Sequence, residues 1–200
     1  MSQLSSRTVV KLGGSLLRTV DWPLKLRSWL DRQPIGEYYA IAGGGKLIDA
    51  LRDLDQSHPL SQTEMHWRCI RALDATFEIA AELTPDFARI SSNDELRTKT
   101  LGKEFEKKSL LYWVRIGAFY SPEFVEAIPL ELQPSLGWET TSDSLALLLG
   151  SMIGAKRCVL FKACMARSFA SLEQAVDAGI VDTESLRFLA SIPLIELIQL

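Results

Sequence analysis

Apolar residues in this chain fall into short runs that break at glycine or proline, separated by longer stretches with helical spacing. Residues 9–12 (Val-Val-Lys-Leu) read as a buried strand, entered through Thr8 and turned into a helix by Gly13-Gly14-Ser15. Pro23 suits the first turn of a helix over 24–31. Pro34-Ile35-Gly36 is a turn, and 38–42 is a second strand ending at Gly43-Gly44-Gly45. Residues 46–55 predict an amphipathic helix with Leu47, Leu51 and Leu54 on one face. After a loop at His58-Pro59-Leu60, Ser61-Gln62-Thr63-Glu64 has the spacing of a capping box. It opens the longest helix, to about 83, which Thr84-Pro85 stops. A short strand at 87–90, a polar helix at 93–108 and a strand at 110–116 follow. Residues 121–134 hold three prolines and predict a loop long enough to suspect a function. The last third predicts an apolar helix at 142–153, a strand at 157–162 and a helix at 171–178 closed by Gly179. A helix at 185–190 and a final strand at 193–200 complete the chain.

Strands alternating with helices predict an α/β fold, a three-layer αβα sandwich around a largely parallel sheet. In such a fold ligands sit beyond the carboxyl ends of the strands. Lys11, Gly13, Gly14, Ser15, Gly43, Gly44, Gly45 and Lys162 all fall at predicted strand ends.

Composition narrows the classes. The chain has 200 residues, 47% of them hydrophobic and 24% charged, which suits one domain over 1–200 with a sizeable core. A net charge of −3 builds no broad basic face, so nucleic acid is not an expected partner. Cys69, Cys158 and Cys164 are odd in number with no close pair, which points to reduced thiols. The start is polar and carries no secretory signal, and no apolar stretch approaches the roughly 20 residues needed to span a bilayer. A cytoplasmic protein with no membrane partner is the expectation.

Two glycine turns, each between a strand and a helix, offer backbone N–H groups to an anion. Lys11 lies inside an apolar strand and is costly to bury without an anionic partner. Gly43-Gly44-Gly45-Lys46 is not a Walker loop, because Ala40 and Leu47 stand where that motif needs a glycine and a Ser or Thr. The glycine spacing does not suit a dinucleotide fold either. Thr140, Thr141, Ser142, Asp143 and Ser144 open the apolar helix. One of them suffices for a cap, and five polar residues in a row exceed that need. Asp143 is placed to hold the two lysines or Mg²⁺. His66 and Asp74 share the predicted buried face of the long helix, where a satisfied core histidine is the commoner outcome and a pocket role the alternative. Trp67, Trp113 and Phe77 read as core or interface.

In this order, Lys-x-Gly-Gly-Ser (11–15), Gly-Gly-Gly (43–45) and Thr-Ser-Asp-Ser (141–144) resemble the amino-acid kinase superfamily, from about Val9 to Val181. Met65-His66-Trp67, residues 138–144 and Gly179-Ile180-Val181-Asp182 resemble a small branch connected to C1-carrier and methanofuran metabolism. The resemblance implies ATP-dependent phosphoryl transfer to a small molecule, with Mg²⁺ carried by the nucleotide and no direct metal ligand. It implies that Lys11 and Lys162 flank the transferred group and that Asp143 orients them. It implies that Gly13, Gly14, Ser15 and Ser142 hold ATP phosphates. Gly43, Gly44 and Gly45 would hold the acceptor, joined by His66 and Asp74 as the pocket candidates on the long helix. It further implies a homo-oligomer, a dimer or larger, which exposed aromatics would serve. The chain departs from the family after Lys162, where Ala163-Cys164-Met165-Ala166-Arg167 replaces the usual Asp-Val-Asp-Gly. With those residues replaced, Arg167 is a candidate phosphate contact in their stead, and the departure motivates a second expectation, a catalytically silent relative that binds a phosphorylated metabolite or a protein.

Overall fold

The computed structural model describes residues 6–102, 108–163 and 169–200. Six strands form one sheet: β1 (Arg7–Leu12), β2 (Glu37–Ala42), β3 (Ala88–Ile90), β4 (Leu110–Val114), β5 (Arg157–Lys162) and β6 (Leu194–Gln199). Their order is β3-β4-β2-β1-β5-β6 and every pairing is parallel. Between them run α1 (Trp22–Leu30), α2 (Lys46–Ser57), α3 (Gln62–Leu83), α4 (Asn93–Leu101), α5 (Ser142–Ile153) and α6 (Leu172–Asp177). The sheet is thus parallel throughout rather than largely so, and the three-layer arrangement holds.

Central strands are buried on both faces, as a parallel sheet requires. Val9, Tyr39 and Ile41 pack on one face with α5, α6 and the first half of α3. Val10, Leu12, Tyr38 and Ala40 pack on the other with α1 and the second half of α3. Here Trp22 stands edge-on to Trp113, with ring centroids 6.1 Å apart, and Trp113 donates to the Thr84 hydroxyl. α5 is buried along nearly its whole length, and Gly154 ends it in the left-handed region at φ 65°.

The elements depart from expectation in several places. Gly13-Gly14-Ser15 leads only into a 3-10 turn at Leu16–Arg18, and α1 begins later with Pro23 in its first turn. α4 stops at Leu101, where Gly102 turns extended (ψ 142°), and residues 103–107 lie outside the described part. The 121–134 loop carries two 3-10 turns, Val125–Ala127 and Leu130–Leu132, and Thr183–Phe188 is likewise 3-10.

α2 is turned differently from its pattern. Leu47 and Leu54 share a face, but that face points outward, at 41% and 54% exposure. Ile48 points inward, packed over Gly44 so closely that a Cβ there would lie 1.9 Å from its Cγ1. The surface aromatics expected for an interface are also scarce. Among the described residues Trp22, Trp29, Trp67 and Trp113 are buried, and Phe124 is the one aromatic among the large exposed apolar side chains. The residue for residue packing of α5 yields a test. Leu148, fully buried, sits mid-helix, and Leu148→Ala is expected to cost about 3 kcal/mol in urea unfolding. A loss under about 1 kcal/mol would show that α5 is not the central support of the fold.

Candidate active site at the sheet switch point

β1 is where the strand order reverses: β2 and β4 extend to one side and β5 and β6 to the other. The carboxyl ends of β1, β2 and β5 therefore open on a common crevice. Lys11, Gly43 and Lys162 lie at those ends.

Glycines permit the convergence. A Cβ on Gly14 would lie 2.1 Å from the Gly45 nitrogen, so the two glycine turns touch backbone to backbone. Gly45 itself has φ 52°, which a side chain would resist. A Cβ on Gly43 would meet the Gly14 nitrogen and Ser142 Oγ at 2.9 Å and Lys11 Cε at 3.1 Å. Gly13 donates to the Phe161 carbonyl at 3.0 Å, which ties the first turn to β5.

Into this floor the first turn of α5 brings Asp143. Its Oδ1 is 2.8 Å from Lys11 Nζ, and its Oδ2 accepts from Lys162 Nζ at 2.6 Å. All three side chains are nearly removed from solvent, at 7, 7 and 14% for Lys11, Asp143 and Lys162. Lys162 also donates to the Ile180 carbonyl at 2.7 Å. Lys11 thus holds one oxygen of Asp143 and Lys162 the other. Burial pushes the Asp143 carboxyl up, but Lys11 and Lys162 together outweigh it and hold the group below the usual carboxylate range. Lys162 is lowered by burial and by Lys11, against the pull of Asp143. Two ammoniums share one carboxylate, so this cluster carries surplus positive charge at a glycine-lined floor. It is suited to a polyanion.

A cavity of about 180 Å³ opens beside it. Gly44, Gly45 and Ser142 form one end, and Ile48, Leu73 and Leu145 give it apolar walls. His66 stands in the wall with both ring nitrogens engaged. Nδ1 faces the Gly137 carbonyl at 3.2 Å and Nε2 faces the Tyr120 hydroxyl at 2.9 Å. A carbonyl only accepts, so Nδ1 carries the proton and the Tyr120 hydroxyl donates to Nε2. Burial lowers the His66 pKa, which keeps the ring neutral. His66 thus ties α3 to the 135–141 segment and leaves no ring nitrogen free for a ligand.

Asp74 is not in this cavity. It binds Arg115 through both oxygens and lines a separate cleft against Ser121 and Phe124, because it sits two turns beyond His66 on α3. Ser15 is exposed at the rim, and Ser142 lies over Gly43. Sequence reasoning gave no role to Asp55 or Arg52 and took Trp138 only as the start of the 138–144 segment. Asp55 accepts from Trp138 Nε1 (2.8 Å), Gln62 Nε2 (3.0 Å) and Leu60 N–H (3.1 Å), bonds that hold its carboxyl below the usual range. The Arg52 guanidinium lies 4.8 Å from the Trp138 ring centroid. The polar spacing of α2 held the signal, since Arg52 and Asp55 continue the turn of Ile48. Cys164 and Arg167 lie outside the described residues.

No family model matches the chain. Over 152 residues, 76% of its length, the chain is 25% identical to the (5-(aminomethyl)furan-3-yl)methyl phosphate kinase of Methanocaldococcus jannaschii. The match spans 63% of that relative, under two thirds of its length. The UMP kinase of Ureaplasma parvum superposes with a TM-score of 0.64 at 10% identity, over 98% of this chain and 90% of that one. The UMP kinase of Bacillus anthracis gives 0.57 at 12% identity, over 94% and 84%. The fold is that of these UMP kinases. Among the described residues no helix is long and apolar enough to cross a membrane. No group of three or more His, Cys, Asp or Glu there is placed to hold a metal ion.

Two tests follow. Gly14→Ala forces the turns apart, and we expect it to cost more than about 2 kcal/mol. Gly102→Ala, whose Cβ would meet nothing nearer than 3.4 Å, is the control expected to be near neutral. Equal losses in urea unfolding would contradict the close approach. His66 titrates lower folded than unfolded, so on acidification the unfolded chain binds its proton first. The stability His66 contributes is complete above the ordinary histidine pKa and drains away as pH falls below it. Urea unfolding between about pH 7.5 and 5 should show this slope, flattened in His66→Gln. Parallel slopes in the two proteins would refute the assignment.

Proposed function

We propose that the protein transfers the γ-phosphoryl group of ATP to a small-molecule acceptor. The carrying observation is the buried Lys11–Asp143–Lys162 bridge at the sheet switch point. Phosphoryl transfer asks mainly for positioning and for positive charge around the equatorial oxygens. In this reading Lys11 and Lys162 supply that charge and Asp143 holds them apart at a fixed spacing. The Gly14 N–H group, with Ser15 and Ser142, faces the nucleotide phosphates, and Gly13, whose N–H is held by the Phe161 carbonyl, shapes the turn. Mg²⁺ would arrive with the nucleotide and would supply charge neutralisation there, without a ligand from this chain's described residues. Gly43, Gly44 and Gly45 line the acceptor's side of the floor, and His66 fixes the wall opposite.

The cavity, with apolar walls and Arg52 among its lining residues, suits a compact acceptor with a ring-sized apolar body. The M. jannaschii relative is a kinase of a furan methyl phosphate, which supports an acceptor of that size, and the resemblance at residues 65–67, 138–144 and 179–182 supports a place in C1-carrier metabolism. Asp74, bound to Arg115, has no part in this site. A homo-oligomer belongs to the same reading, and the outward Leu47 and Leu54 of α2 are the apolar surface that would serve it. The altered Ala163–Arg167 sequence favours one rival, a silent binder of a phosphorylated metabolite or protein.

Calorimetric titration with Mg²⁺-ATP separates them. Micromolar binding, lost in Lys11→Ala with far-UV circular dichroism unchanged, is the expected result. No binding at millimolar nucleotide favours the silent binder. With an acceptor in hand, Lys11→Ala should lower turnover by about 10²-fold or more, and unchanged turnover would end the kinase reading.

A further inference from the structure

The segment from Gly179 to Ser185 reaches the bridge from behind. The Ile180 carbonyl binds Lys162 Nζ at 2.7 Å. Two residues on, the Asp182 carboxylate collects five donors. Oδ2 accepts the N–H groups of Thr141 (3.2 Å) and Ser144 (3.1 Å) and the Thr141 hydroxyl. Oδ1 accepts the N–H (2.9 Å) and hydroxyl (3.0 Å) of Ser185, which is fully buried.

Capping accounts for only part of this: Asp182 is the N-cap of the 3-10 turn Thr183–Phe188, which explains its bonds to Ser185 but not those to Thr141 and Ser144. Thr141 already caps α5 by accepting from the Asp143 N–H at 3.2 Å, and its capping box with Ser144 is complete. Asp182 is a further carboxylate, brought from outside the helix onto the one turn that contains Asp143. The Thr141 hydroxyl joins the two residues, accepting from the Asp143 backbone N–H and donating to the Asp182 carboxylate.

We propose that Asp182 is a positioning residue for the Lys11–Asp143–Lys162 bridge. It clamps the first turn of α5 so that the Asp143 carboxylate spans both ammoniums, and it sets negative charge on the strand-to-helix segment whose carbonyl binds Lys162. Its effect on turnover rests on the phosphoryl-transfer reading, whereas its effect on Lys162 does not.

Among the described residues the charged groups acting on Lys162 are Lys11 from β1, Asp143 from α5 and Asp182. Burial and Lys11 lower its pKa, and Asp143 and Asp182 raise it. Removing the Asp182 charge therefore moves Lys162 further down. A rate that needs protonated Lys162 then loses its basic limb at lower pH.

Protein carrying ¹³C at lysine Cε gives the direct readout, with the Lys162 resonance assigned by Lys162→Arg. Asp182→Asn is expected to lower the Lys162 midpoint by about half a pH unit or more. It is also expected to weaken Mg²⁺-ATP binding about tenfold. Asp182→Glu keeps the charge and should recover most of the midpoint, which a merely structural role would not achieve. An unmoved midpoint in Asp182→Asn, or equal shifts in both variants, overturns the proposal. Should Asp182→Asn not fold, Thr141→Val removes the hydroxyl link and must move the midpoint in the same direction, and an unmoved midpoint overturns the proposal equally. If the wild-type protein binds no Mg²⁺-ATP, the phosphoryl-transfer reading fails while the lysine titration still decides the role of Asp182.

Discussion

One buried carboxylate between two buried ammoniums fixes the rest of this molecule. Asp143 brings together β1, β5 and α5, three elements far apart in sequence. Two lysines so deep in the protein would repel each other and lose hydration without it. Removing any one member leaves a charge without compensation in a place water does not reach. The arrangement does not maximise stability, because an apolar trio of similar volume would cost less to bury. What it retains is positive charge in surplus at the end of a sheet.

That charge is usable because the floor beneath it is thin. Gly14 and Gly45 bring two turns together without side chains between them, and Gly43 lets Lys11 and Ser142 reach the same point. A methyl group at Gly14 or Gly43 would separate the strand ends and move the lysines with them. The glycines are thus a requirement of distance first and of backbone conformation second; only Gly45 of these also needs a positive φ.

Around the floor, neutral and ionic contacts hold loops that would otherwise lie free. His66 joins Tyr120 and Gly137, Asp55 gathers Trp138 and Gln62, and Asp182 gathers Thr141, Ser144 and Ser185. Each side chain belongs to one element and binds another, and the 135–144 stretch receives all three. The wall of the cavity and the first turn of α5 are one connected segment, held from α2, α3 and the C-terminal part of the chain at once.

The pattern along the chain determined the alternation of strands and helices, because burial on both faces demands unbroken apolar strands and caps demand small polar residues. It also determined that Lys11, Lys162 and the glycine turns lie at strand ends, where the direction of a parallel sheet gathers them. It did not determine which way α2 faces, since Leu47, Leu51 and Leu54 make a sound apolar stripe whether it turns inward or outward. The contact of Gly44 with Ile48 decided that. Nor did sequence separate His66 from Asp74, which share one helix face but are two turns apart. Only the tertiary structure placed Tyr120 and Gly137 against the first and Arg115 against the second. In the sequence Asp182 was only the end of Gly179-Ile180-Val181-Asp182; that its carboxylate reaches the turn holding Asp143 depends on two segments meeting across about 40 residues of chain, and local pattern carries no record of such a meeting.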